Sequence, residues 1–102
     1  MENKQIDVLV VVELTNLQDK EKFEAHVKKE GFTVVENENL VYTGKSTTSL
    51  FATKAYILEV FAKALTKQDF KGEANLIFLL NETPHPTYSF KHDTKDFRPL
   101  ED

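Results

Sequence analysis

Gly44-Lys45-Ser46-Thr47 has the ending of a phosphate-binding loop, in which backbone N–H groups curl around phosphate oxygens and a lysine neutralises them. Such a loop needs a glycine five positions before Gly44, where a Cβ would obstruct the curl, and Asn39 stands there instead. Leu40, Val41 and Tyr42 follow, and β-branched and aromatic side chains favour extended backbone over a cradle. The loop lacks its front half, so triphosphate binding is set aside. What remains is a strand end running into a helix N-terminus rich in capping hydroxyls, where a single anion can settle on free N–H groups. Lys45, Ser46 and Thr47 are the candidate anion-binding residues.

Glu13 is the acidic residue best placed for chemistry. It closes an apolar run, so its carboxylate belongs at the rim of a sheet; across a two-fold axis it would meet its own copy, and the pair could hold a divalent metal. The plainer reading is a carboxylate beside the positive end of the helix that follows. His85, His92, Asp93 and Asp96 offer imidazole and carboxylate close together, ligands suited to zinc or iron, but their spacing matches no metal motif. His85, held extended between Pro84 and Pro86, and His92, in a polar tail, read as exposed, and no metal ligand is assigned. The chain has no cysteine, its single arginine is Arg98, and no nucleophile-elbow spacing occurs.

These residues need a scaffold, and 102 residues without an internal Gly/Ser/Pro-rich linker suit one domain. The 40% hydrophobic content, including eight Phe, is enough for a core. Thirteen basic and 17 acidic residues leave a formal charge of −4, which supports solubility and speaks against duplex DNA as a partner. The absence of cysteine fits a reducing compartment. The opening MENKQID is too polar for a signal peptide, and the longest apolar run, Val8 to Val12, is too short to span a bilayer. The expected location is the cytoplasm, with no membrane partner.

In IDVLVVVEL, Ile6, Val8, Val10, Val12 and Leu14 share one strand face and Asp7, Leu9, Val11 and Glu13 the other, the pattern of a central strand. TNLQDKEKFEAHVKKEGF reads as a helix capped by Thr15 or Asn16, stopped at Gly31, and carrying a narrow stripe of Leu17, Phe23 and Val27, with Phe32 just beyond it. TVVENENLVYTG reads as a hairpin turning at Asn37-Glu38-Asn39. SLFATKAYILEVFAKALTKQ is the clearest helix, with Leu50, Ile57, Phe61 and Leu65 at helical spacing, joined by Phe51 and Leu58. EANLIFLLN is a strand with Leu76, Phe78 and Leu80 on one face and Ile77 and Leu79 on the other, ended by Thr83-Pro84-His85-Pro86. Beyond it, the alternation of Tyr88, Phe90 and His92 with Thr87, Ser89 and Lys91 allows a short fifth strand.

Strand, helix, hairpin, helix, strand is the βαββαβ plan of the ferredoxin-like α+β sandwich: four antiparallel strands with both helices on one face. Residues 1–82 form that domain, and 83–102 an extended C-terminal segment able to cross to a second copy or fold back. The sheet face away from the helices then carries Leu9, Val11, Ile77 and Leu79, too apolar to leave in water, which points to a homodimer or a partner face. Base-stacking recognition of RNA is disfavoured, because these positions lack the aromatic and basic residues it needs.

The apolar first strand closing on an acid, the helix, the hairpin and the stretch NENLVYTGKSTTSLFATKAYILEVF together resemble the small ferredoxin-like ribonucleases of CRISPR and toxin–antitoxin systems, among them the VapD-type toxins and the GhoS-type antitoxin ribonuclease. The likeness covers residues 6 to 80 as layout more than as identities. It implies a homodimer and a metal-dependent endoribonuclease using Mg or Mn, with Glu13 where the CRISPR proteins carry Asp. The residues themselves favour a small dimeric cytoplasmic domain, without a cofactor, that binds a partner protein or small ligand. The endoribonuclease, with RNA as its partner, is the alternative.

Overall fold

The computed structural model describes residues 5–100. Residues 1–4, in the polar opening of the expected 1–82 domain, and 101–102, at the end of the expected 83–102 segment, lie outside them. The protein is α+β. The elements are β1 (Ile6–Leu14), α1 (Lys20–Lys29), β2 (Thr33–Val34), β3 (Val41–Ser46), α2 (Leu50–Thr66), β4 (Ala74–Leu80), β5 (Thr83–Pro84), β6 (Tyr88–Lys91) and β7 (Asp96–Pro99). All strands pair antiparallel in one seven-stranded sheet of order β2-β3-β1-β4-β6-β7, with β5 paired to β4 off that path. Four strands and a short fifth were expected; the segment from Thr83 contributes three.

Alternation sets the two faces. Ile6, Val8, Val10 and Val12 of β1 are buried, as are Ala74, Leu76, Phe78 and Leu80 of β4, because these positions turn toward the helices. Val10 lies opposite Tyr42 on one side and Phe78 on the other, and all three have no exposed surface. Above this row Phe23 of α1, Phe61 of α2 and Tyr42 meet with ring centroids 5.6 to 6.1 Å apart. The Tyr42 hydroxyl donates to Glu24 Oε2 at 2.9 Å, so the buried phenol is satisfied; burial and then that carboxylate hold its pKa well above the usual value.

The segment after β4 extends the same layer. Asn81 and Glu82 both have positive φ, the geometry of a two-residue hairpin turn whose twist matches its strands. Asn81 Oδ1 accepts from the Asp7 N–H and its own N–H donates to the Asp7 carbonyl, both at 2.9 Å, which pins the turn to β1. Tyr88, Phe90 and Phe97 are buried on the helix side, with Phe90 against Phe70 and Phe97, and Lys54 of α2 over the Tyr88 ring. The hairpin therefore lies beside the sheet face that bears Leu9, Val11, Ile77 and Leu79, and these four stay half-buried.

Two helix details differ from expectation. Asp19 caps α1 in place of Thr15 or Asn16, accepting from the Lys22 N–H at 2.9 Å; Asn16, at φ 64, makes the turn before it. Leu50 and Phe51, counted with the apolar stripe of α2, are 54% and 82% exposed, and Thr53, Val60 and Ala64 are buried there instead.

His26 of α1 is buried against α2. Its Nδ1 lies 3.0 Å from the Lys67 ammonium, which can only donate, so the ring hydrogen sits on Nε2, which has no protein partner among the described residues. Burial first, then the Lys67 charge, lower its pKa below 6.5; Glu30 opposes this and Lys29 and Lys63 reinforce it. A lowered folded-state value means that the unfolded chain binds the proton more tightly. The stability tied to a neutral His26 is therefore complete above pH 6.5 and is lost as pH falls through the folded value. The urea midpoint should fall between about pH 7.5 and pH 5.5, and His26→Gln, which does not titrate, should flatten that fall.

Candidate functional site

Val8 of β1 lies opposite Gly44 of β3, and Gly44 stands on the sheet face that looks toward the helices. A Cβ there would come 3.3 Å from the Phe32 ring, so the missing side chain is what leaves room beside that ring. The room is a groove of about 360 Å³ between the free end of β3, the Gly31-Phe32 turn and the N-terminal half of α2. Val8, Phe32, Ala52 and Ile57 give it apolar walls; Lys45, Ser46, Thr48, Thr53, Tyr56 and Glu30 supply its polar atoms. The turn forms because Gly31, at φ 103, takes the left-handed stop after α1, with its N–H on the Lys28 carbonyl and that of Phe32 on Val27.

The hydroxyls on the wall form a closed chain. Thr53, buried in the first turns of α2, donates to the Ser49 carbonyl at 2.8 Å. Ser46 Oγ must then donate to Thr53 Oγ1, 2.7 Å away, and Thr48 Oγ1 donates to one of these two, at 3.0 or 3.2 Å. The three hydrogens are thus used within the protein, and the chain turns acceptor lone pairs toward the groove. Opposite, the Tyr56 O–H reaches the Glu30 carbonyl at 2.8 Å and Glu30 Oε1 at 2.9 Å, and its ring stacks on Phe32 at 6.4 Å. Burial, followed by the Glu30 carboxylate, pushes the Tyr56 phenol up, so it remains a donor to that carboxylate.

Of the expected anion-binding residues, Lys45 and Ser46 reach the groove, whereas Thr47 is exposed beside it. Lys45 lines the groove through its main chain; its side chain stands with Asp7 on the opposite face of the sheet. Glu13 is exposed at the end of β1 opposite Asn75, in a shallow depression that Glu73 also lines. Among the described residues no three His, Cys, Asp or Glu side chains gather to hold a metal. His85, expected exposed, is half-buried with its ring 5.2 Å from that of Phe78. Asp96 accepts from Thr94 at 2.6 Å and from Arg98 Nε at 3.2 Å, and these bonds hold its carboxyl below the usual range.

Phe32 was read from the sequence only as an apolar residue beyond the α1 stripe, and Thr53 and Tyr56 were not singled out. Thr53, Tyr56 and Ile57 do share helical spacing on one face, a signal for the α2 wall, but Phe32 and the Gly44 gap join it only through tertiary contact. No family model, curated protein or solved structure matches this chain. No helix among the described residues is long and apolar enough to cross a membrane.

Thr53→Val keeps the side-chain shape but leaves Ser46 without its acceptor and the Ser49 carbonyl without the hydroxyl donor. A loss of about 1–3 kcal/mol is expected in urea unfolding, with Thr53→Ser closer to the parent.

Proposed function

We propose that this chain is a non-enzymatic binding domain that takes an apolar group of its ligand into the groove between β3 and α2. The observation that carries the reading is the Gly44 gap: a concave, mainly apolar space of about 360 Å³, in the range of ligand sites. The ferredoxin-like plan belongs to the same reading. The order β2-β3-β1-β4 supports it, with β5 to β7 as an addition at the β4 edge.

Anilinonaphthalene sulfonate, an apolar fluorophore with an anionic group, is a suitable probe of the groove. Ala52 is exposed on α2 and lines the space, so Ala52→Trp fills it from the surface without disturbing the core. Saturable fluorescence enhancement by the parent, weakened about tenfold or more in Ala52→Trp, is the expected result. Equal binding by both proteins would place the dye elsewhere and end the proposal.

A homodimer is the second element. Leu9, Val11, Ile77 and Leu79 form a half-buried apolar row on the face away from the helices, and the C-terminal hairpin does not lie over it. Glu13 stands on the same face, so the alternative, a metal-dependent endoribonuclease with paired Glu13 carboxylates, depends on the same association. Sedimentation equilibrium should give a dimer that Val11→Asp converts to monomer; a monomeric parent at micromolar concentration would remove both the dimer and the paired-carboxylate nuclease.

A further inference from the structure

The main chain of Lys45 faces the same groove from an unpaired strand edge. In an antiparallel ladder the N–H and C=O of one residue point the same way, and successive residues alternate. The Val41 carbonyl accepts from Val35 on the β2 side, whereas the Leu40 carbonyl accepts from Val12 of β1. By that alternation Thr43 and Lys45 also turn their main chain away from β1. β2 reaches Thr43 through Thr33 and goes no further, because the chain climbs at Gly31 out of the sheet and into α1. No strand lies opposite Lys45 among the described residues. Its N–H and C=O are a short open edge in line with β2, of the kind that accepts another strand.

Side-chain directions specify what such a strand carries. A residue opposite Lys45 points to the Lys45 side of the sheet, where an acidic group would meet the ammonium. Its neighbour opposite Ser46 points to the helix side, into the groove beside Phe32 and Ile57, while the place opposite Gly44 is already taken by Phe32. The hydroxyl hydrogens on the wall are already used, so the wall offers no hydroxyl donor to a small anion. We propose that the groove's ligand is an extended peptide segment of a partner protein, which adds to β3 at Lys45 with an acidic residue next to an apolar one. This rests on the groove reading above and names the source of the apolar group.

The test uses the ¹⁵N-labelled full chain and the blocked peptide Ac-Ser-Leu-Asp-Leu-Ser-NH₂. Binding should shift the amides of Lys45, Phe32 and Ile57, and the Asp→Lys peptide should bind more weakly. N-methylation of the central peptide amide, which removes a strand donor, should weaken binding about fivefold or more. Lys45→Pro deletes an N–H that β1 does not use, as an edge position permits, and should bind about fivefold more weakly than Lys45→Ala, which keeps it. Where Lys45→Pro does not fold, the N-methyl peptide on the parent decides alone. Equal binding of the methylated and plain peptides, or no peptide binding, overturns the strand addition. The groove reading survives that result if the dye still binds the parent and fails in Ala52→Trp; loss of dye binding as well overturns both. Line broadening confined to β3 that grows with protein concentration and ignores peptide would assign the edge to a second copy, and also overturns the proposal.

Discussion

Tyr42, Val10 and Phe78 lie side by side on the three central strands without exposed surface, and the rest of the structure is arranged around keeping them so. One residue of slip between β1 and either neighbour would turn Tyr42 or Phe78 to the opposite face and bring Thr43 or Ile77 inward. The Phe23 and Phe61 rings hold both helices over this row, and Glu24 answers its one polar atom. With that register fixed, Gly44 must stand opposite Val8, and the groove follows from the glycine's missing side chain.

The fold was legible wherever a residue's role depends on its near neighbours in the chain. In β1 and β4 strict alternation separated Val8, Val10 and Val12 from Leu9 and Val11, and Leu76 and Phe78 from Ile77 and Leu79, because a pleated strand obliges it. The stop at Gly31 follows from local backbone chemistry in the same way. Phe97 was not legible: HDTKDFRPLED is polar on both sides of it, and only packing of β7 against α2 makes it core. Leu50 and Phe51 fit the helical spacing of a buried stripe, but spacing contains no information about what lies beneath the first turn of a helix.

The site was legible in part for the same reason. Lys45 and Ser46 attracted notice as the tail of a phosphate loop and do line the groove, but the feature that gives them a role is the space beside them. That space is made by Gly44, Phe32 and Tyr56, from three separate segments, and no local pattern joins them. The hydroxyl-rich step into α2 looked ready for an anion. The hydrogens of Ser46, Thr48 and Thr53 turn inward to satisfy one another and the Ser49 carbonyl, a closure that depends on Thr53 a full turn into the helix.

The C-terminal hairpin gives the sheet two unlike borders. On its side the outermost strand is four residues long, ends in Pro99, which has no N–H to offer, and places Asp96 and Arg98 toward solvent. On the other side β3 outruns β2 and leaves Lys45 uncovered. A short, charged strand that ends in proline discourages strand addition, so the two borders differ in how readily they can lengthen the sheet.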